Sequence, residues 1–565
     1  MLDLEAMRAT DGDKFDIVSL QLYNPIYKEL FGQDVNPTTT LDHRYEVVDA
    51  DHVRETTTTT DAMELRKIHF KFSPLLDPFA YMIGKYSSEL STTTVLPSPY
   101  NTDDDHVLPK IAHPCNAAYV DGFFNYLSNL LLEKHGFLHG ISFYGSYLGI
   151  QRNFKVDVSD DMDHLRNSRF FTEHVGKLFT VPGFQQDDSL NVIGGSRRNK
   201  RKIDVIEDAL LDNVETLEED GGDTVLSDLE EEEGLCSVYA KEQEHNVSER
   251  SHGSSDSDLN YSSSDDEEDE EEEDEEEDLE SNSNNNPQQE EDESTDSTEN
   301  SNNVEENDDE DSVVEETLGT IHNFPCQMIC MEKCDGTLDE LFDSGNMDAE
   351  QGAAALMQVI LTLLAYQKAF GFTHNDLHTN NIMYVHTDLD YLTYRFEGRV
   401  YKVPTFGRIY KIIDFGRGIY TFQQHVFCSD SFFAKGDAAT QYNFGPCLDP
   451  KKPVLEPNPS FDLCRLGVSI FDFVMDMDLD VGDLDAFQKT IRRWCQDDRK
   501  HNVLYKRNGD DRYPNFKLYK MIARTVHRHT PQAQLNYAIF KQYVVDEEVD
   551  EEVLLMDLDA LPSYQ

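Results

Sequence analysis

His374-Asn375-Asp376-Leu377-His378-Thr379-Asn380-Asn381 and, 38 residues on from Asp376, Ile412-Ile413-Asp414-Phe415-Gly416 are the stretches on which the fold turns. Both are short polar loops bounded by apolar elements. Ahead of the first, Asp348 to Phe370 carries Ala353, Leu356, Ile360, Leu363 and Leu364 at helical spacing, and Gly371 stops the helix. Between the two loops, Tyr391 to Phe396 and Arg408 to Ile413 read as strands, and residues 384–411 as a long β-hairpin. A helix, a loop, a hairpin and a second loop thus bring Asp376, Asn381 and Asp414 to one end of the elements that carry them.

Two carboxylates and an amide oxygen converging in this way suit phosphoryl transfer from a nucleoside triphosphate. One carboxylate orients the acceptor hydroxyl and takes its proton. The amide oxygen and the second carboxylate hold a divalent cation on the phosphates.

The arrangement resembles the protein-kinase superfamily. His374 to Asn381 is similar to its H-R-D-L-x-x-x-N catalytic loop, with Asn375 in place of Arg, and Asp414-Phe415-Gly416 matches its metal-binding motif. Met331-Glu332-Lys333-Cys334-Asp335-Gly336-Thr337-Leu338 resembles the linker between lobes. Phe461 to Gly467 resembles the start of the buried helix whose acid, here Asp462, holds the catalytic-loop backbone. Ile68-His69-Phe70-Lys71 stands where V-A-I-K would, with Lys67 as the other candidate, and the helix from Asn116 to Lys134 stands where an acid would meet that lysine. Phe72 to Pro78, Gly84-Lys85-Tyr86, Tyr119 to Phe124 and Val403 to Gly407 further resemble serine/threonine protein kinases of giant nucleocytoplasmic DNA viruses.

The resemblance implies an α+β, bilobal fold with a small β-rich lobe and a mostly helical one. It implies ATP and Mg²⁺ as cofactors, and protein Ser or Thr hydroxyls as acceptors. Asp376 and His378 become catalytic residues. Lys71, Asp121, Glu332 and Asn381 become nucleotide contacts, and Asn381 and Asp414 metal ligands. The chain departs from the pattern in several places. Residues 20–66 hold one glycine, Gly32, so no glycine loop precedes Lys71. His378 replaces the lysine that meets the transferred phosphate. Asp121 is the only acid on the inner face of its helix, and it is shorter and earlier than the pattern asks. Two other functions stay open: a small-molecule phosphotransferase with a similar loop, and a catalytically silent scaffold working through its acidic segment.

That segment dominates the composition. The chain has 565 residues and a formal charge of −63. Residues 203–316 hold 48 acids against two bases, Lys241 and Arg250, leaving 63 acids and 46 bases elsewhere. A stretch this charged buries too little apolar surface to offset chain entropy, so a disordered insert is expected, one suited to basic proteins. Ser262-Ser263-Ser264 at its acidic run is a candidate phosphate acceptor. The overall field disfavours direct nucleic-acid binding. The basic run Arg197 to Lys202 can serve as a nuclear localisation signal.

No apolar run approaches the roughly 20 residues of a membrane span, and the acidic start reads against a signal peptide. A soluble intracellular protein follows, in a host cytoplasm or virion if viral, or in a nucleus. Nine scattered cysteines argue for reduced thiols. Cys326, Cys330 and Cys334, four apart, lack a completing CxxC or HxxxH and read as packing rather than zinc.

The expected organisation is an irregular start with weak strands (1–60), a first part of the small lobe (61–200), the insert (203–316), the end of that lobe and the linker (317–335), the helical lobe (336–545) and an acidic tail (546–565). The tail reads as a docking peptide or a frayed end. Within the first part, 88–112 reads as loop and Phe137 to Ile150 as two strands around Gly145. Gln327 to Glu332 is expected as a strand, and helices over 484–545.

Overall fold

A computed structural model describes residues 15–41, 44–49, 51–55, 65–100, 107–159, 161–184, 317–475, 481–506, 509–514, 516–546 and 554–565. The chain parts into two units, residues 1–220 with 315–565 and residues 221–314, and every described residue belongs to the first. The acidic insert, the basic run 197–202, the Ser262–Ser264 cluster and the inner segment boundaries at 200, 203 and 316 lie outside the described residues.

The fold is mixed α+β. Its largest sheet is a curled antiparallel one, ordered Ile17–Gln21, Phe143–Asp157, Leu318–Glu332, Leu65–Pro74, His52–Glu55, Tyr45–Val47, with Phe179–Thr180 added beside Leu318–Glu332. The Lys71 strand pairs with Leu318–Glu332 in a register that sets Lys71 opposite Ile329 and Ser73 opposite Gln327. Against this sheet lies the helix Ala117–His135. Asn116 caps it by accepting the Ala118 N–H, and Gly136 closes it at φ +65°. Gly122 faces Gln327 at a distance that no Cβ could share, so the helix seats close to the sheet.

The remainder is organised round the helix Ala349–Phe370. Asp348 caps its start by accepting the Gln351 N–H, and Gly371 ends it in the left-handed region at φ +60°. By length and composition this helix could cross a membrane, contrary to the expectation of no such run. It is instead the core helix of the unit, with 89% of its apolar window buried. Ala486–Trp494 packs beside it, Phe461–Val474 packs on Ala486–Trp494, and Trp494 is fully buried.

Several elements differ from the sequence reading. Phe143–Asp157 is one strand of 15 residues rather than two, because Gly145 makes a bulge in the ladder instead of a turn. Leu318–Glu332 begins nine residues before Gln327, since pairing with Phe143–Asp157 carries it through the polar start and Pro325. The expected hairpin over 384–411 is two nested hairpins. Ile382–His386 pairs with Arg408–Ile412, and Tyr391–Phe396 with Arg399–Pro404 between them. Ile26–Phe31 is a helix within the stretch expected to be irregular, and Pro109–Ala112 a helical turn inside the expected loop. Residues 496–514 hold no helix among the described residues; Asp497 accepts the N–H groups of Arg499 and His501, which favours turns. Cys326 and Cys330 are buried in different apolar clusters.

The described tail is docked. Leu555–Asp557 adds to Tyr391–Phe396 as a parallel strand, and Leu558 and Leu561 are buried. The Tyr564 N–H donates to Ala369 O at 2.7 Å, its ring stacks on Phe370, and its hydroxyl meets His135 Nε2 at 2.8 Å.

Phe124, on the helix Ala117–His135, packs against Tyr366 and the segment that follows Ala349–Phe370. Its ring stacks on Phe372 at 4.1 Å and contacts Phe415, Tyr420 and Tyr366 at 4.6, 4.8 and 5.2 Å. Phe124→Ala should therefore cost about 3–5 kcal/mol, read as a lower urea midpoint with an unchanged slope.

Candidate active site

The chain brings Lys71, Asp121 and Asp414 into one cluster. Lys71 Nζ lies 2.6 Å from Asp121 Oδ2 and 2.7 Å from Asp414 Oδ1. Asp121, one turn into its helix, is buried. Its Oδ1 accepts the Phe415 N–H at 2.9 Å and Asn125 Nδ2 at 3.0 Å, and Ser73 Oγ donates to Oδ2 at 3.3 Å. One carboxylate thus reads the strand, the helix and the Asp414 loop together. Lys67, the alternative to Lys71, pairs in register with His52 on the neighbouring strand.

Charge in this cluster is set by competition between burial and pairing. Burial would lower Lys71, but the two carboxylates hold it above the ordinary lysine range. Asp414 is 49% exposed at its side chain, yet the protein packed round it raises the carboxyl; the Lys71 ammonium wins and brings it down to about 2. Asp121 is pushed up by burial against the pull of Lys71.

The second group of residues is held by Asp462, fully buried in the helix Phe461–Val474. Its two oxygens accept the N–H groups of His374 (2.9 Å) and Asn375 (2.8 Å). His374 then links both loops: Nδ1 accepts the Asp376 N–H at 3.3 Å and Nε2 donates to Ile413 O at 2.9 Å, which fixes the tautomer. Asn375 and Asp414 both take positive φ, +65° and +63°, a conformation asparagine and aspartate adopt more readily than most side chains.

Asp376 is gripped on both oxygens. The Tyr519 hydroxyl donates to Oδ1 at 2.8 Å, Arg465 Nε stands 3.7 Å from Oδ1, and Arg417 Nε stands 3.9 Å from Oδ2. Arg417 also pairs with Asp437. Burial pushes Asp376 up, but Arg417 and Arg465 outweigh it and keep it below the usual carboxylate range. None of Arg417, Arg465, Tyr519 and Asp437 was singled out as a site residue from sequence. A legible signal existed for Arg465 alone, an arginine in the apolar run Leu463-Cys464-Arg465-Leu466, which calls for a buried acid.

Asn381 Nδ2 donates to Asp376 O (2.9 Å) and to His378 Nε2 (3.0 Å). Its Oδ1 accepts no hydrogen bond among the described residues, which leaves a hard oxygen donor available, and the Ile413 N–H donates to Asn381 O at 3.0 Å, which ties this residue to the Asp414 loop. A pair of such donors fits Mg²⁺, which takes one or two protein oxygens and completes its shell with phosphate and water. Among the described residues no group of three or more His, Cys, Asp or Glu forms a metal centre. Burial lowers His378 to about 4, so the ring is neutral near pH 7. Glu332 is not brought into the cluster: its carboxylate pairs with Lys411 Nζ at 2.6 Å and accepts the Ser142 N–H at 2.7 Å.

Compared with known proteins, the chain matches no family model and no curated protein.

Two outcomes follow from this electrostatics. Lys71→Met strands Asp121 as a buried unpaired carboxylate and should cost about 3–5 kcal/mol in equilibrium unfolding. For Asp414, the unfolded carboxyl protonates near pH 4 and the folded one near pH 2. The unfolded chain therefore takes up the proton first. The stabilisation is complete above about pH 4 and is lost as the pH falls toward about 2. A urea-midpoint series should show a shallower loss in that window for Asp414→Asn than for the wild type.

Proposed function

We propose that the chain is a protein kinase that transfers the γ-phosphate of ATP to Ser or Thr hydroxyls with Mg²⁺. The observation that carries the reading is the Lys71 ammonium held between Asp121 and Asp414, with the loop of Asp376 and Asn381 fixed at His374 and Asn375 by Asp462. On this reading the mixed α+β unit is bilobal, with the antiparallel sheet and the Asp121 helix as the small lobe and Met331 to Leu338 as the linker and the start of the helix after it.

Each residue then has a role that its surroundings support. Lys71, positioned by Asp121, offers a fixed positive charge to the phosphates. Asp414 and the amide oxygen of Asn381 would hold Mg²⁺, which neutralises phosphate charge when bound. Asp376 stays ionised because Arg417 and Arg465 face it, and it accepts the proton of the acceptor hydroxyl. The hydrogen bond from Tyr519 and the two guanidiniums fix its orientation, so the base costs little reorganisation when it acts. Neutral His378 supplies a hydrogen-bond acceptor to Asn381 and no cationic contact to the phosphate.

One observation favours the silent scaffold as a second reading. The hairpin before the Lys71 strand, Tyr45–Val47 with His52–Glu55, turns through Asp49 and Asp51 where a phosphate clamp would need glycine. Asp49 caps that turn by accepting the Asp51 N–H at 2.8 Å, and two acids there repel a triphosphate.

Radiolabelled γ-phosphate transfer from ATP with Mg²⁺ separates the readings, using basic and acidic substrate proteins and phosphoamino-acid analysis. Label on Ser or Thr that drops by about 100- to 10,000-fold in Asp376→Asn supports the kinase. Absence of transfer from both proteins, with no thermal stabilisation by nucleotide, would leave the scaffold.

A further inference from the structure

Outside the candidate site, two cysteines distant in sequence come together. Cys115 immediately precedes Asn116, the cap of the Asp121 helix, and is half-buried. Cys428 ends the strand His425–Cys428 of the hairpin that follows Asp414 and is buried. The helix that Cys115 precedes packs on the strand that Cys428 ends, and both cysteines are free thiols in this structure.

The segments carrying them are fastened independently of the sulfurs. The Asp430 N–H donates to Cys115 O at 2.7 Å. One oxygen of the Asp430 carboxylate accepts the Ala117 N–H at 3.2 Å, and the other accepts Lys110 Nζ at 2.7 Å. His113 lies on the other side of Cys115. Its Nδ1 accepts the Cys115 N–H at 3.1 Å, and its ring meets Phe433 edge-on at 5.4 Å. The two segments are therefore held together by a backbone hydrogen bond and a carboxylate clamp, with the His113 imidazole on the Cys115 main chain.

Chemistry makes the two thiols unequal. Cys428, the largest influence, and His113 together lower the Cys115 thiol against the effect of burial. The start of a 19-residue helix adds positive partial charge in the same direction. Cys428 is pushed up by Cys115 and by burial, so it keeps its proton. Cys115 is thus the half-exposed sulfur that its surroundings favour as thiolate, and Cys428 is the buried one placed to resolve it.

We propose that Cys115 and Cys428 are a peroxide-reactive dithiol that closes to a disulfide, tying the start of the Asp121 helix to the hairpin after Asp414. The Cys115 thiolate attacks one oxygen of hydrogen peroxide or an alkyl hydroperoxide. The O–O bond breaks, and the leaving oxyanion takes up the proton that Cys115 released on ionising. Cys115 is then a sulfenic acid. The Cys428 sulfur attacks it, the S–O bond breaks, and hydroxide departs with the Cys428 proton as water. The dithiol loses two electrons, the peroxide gains them, and from hydrogen peroxide the products are one disulfide and two waters.

The third sulfur nearby is Cys447, half-buried, in the turn Gly445–Cys447 that packs on the strand of Cys428. It is the competing partner that the test must separate.

The experiment treats the full chain with stoichiometric hydrogen peroxide, blocks remaining thiols and maps cysteines by mass spectrometry. The expected result is a Cys115–Cys428 linked peptide appearing before any other cysteine is modified, and reversed by dithiothreitol. Cys115→Ser should abolish it and slow peroxide consumption by about tenfold or more. Cys447→Ser should leave it unchanged. Cys428→Ala should leave a sulfenic acid on Cys115, captured by a dimedone-type probe. Should that variant not fold, the same probe added to wild type during oxidation must label Cys115 transiently. First oxidation elsewhere, a Cys428–Cys447 link, or wild-type reactivity in Cys115→Ser would each overturn the proposal. None of these readouts depends on phosphoryl transfer.

Discussion

A single ammonium group, Lys71 Nζ, sits between two carboxylates that reach it from unrelated parts of the chain. Asp121 comes from a helix 50 residues on, and Asp414 from a loop 343 residues on. Removing the cation would leave two like charges beside each other with one of them out of water, which the fold could tolerate only by opening or by protonating an acid. Sheet, helix and loop are therefore held to a common distance. The Phe415 N–H on Asp121 and the rings round Phe124 make that distance a packed one rather than a purely electrostatic one.

A second constraint works from beneath. Asp462 takes two consecutive backbone N–H groups of the Asp376 loop from inside a buried helix, so the loop is fixed by its main chain and leaves its side chains for chemistry. The same helix supplies Arg465, which faces Asp376 together with Arg417. The loop's position and its charge thus come from one element. His374, between the two loops, carries that fixation across to Ile413 and the Asp414 turn.

How far the sequence could reveal this depends on whether a signal was local. Asp348, Gly371, Asn116 and Gly136 bound their helices by cap chemistry that needs only neighbouring residues, and these ends were legible. Asp376, Asn381 and Asp414 stood out because polar groups gathered in short loops beside apolar runs. Asp121 was harder. Its neighbours on the helix say nothing of a lysine 50 residues earlier, and only the packed structure shows it buried. Glu332 shows the converse. Its place in the chain fits a linker contact, but a buried lysine from a distant strand, Lys411, takes its carboxylate. Tyr519 and Asp437 carried no local mark at all. The long strands were obscured by Gly145 and Pro325, which usually signal breaks and here are absorbed by a bulge and by pairing along the rest of the ladder.

Gly122 seats its helix against Gln327 with no room for a side chain, and next to it Asp121 has one methylene fewer than glutamate. The two are one setting of depth. The short acid reaches Lys71 at 2.6 Å from a helix whose adjoining residue carries no side chain. A side chain at 122 would have to displace the buried Gln327 amide, on the strand that pairs with the one carrying Lys71. The seat of the helix and the reach of its acid are thus set on the same two strands.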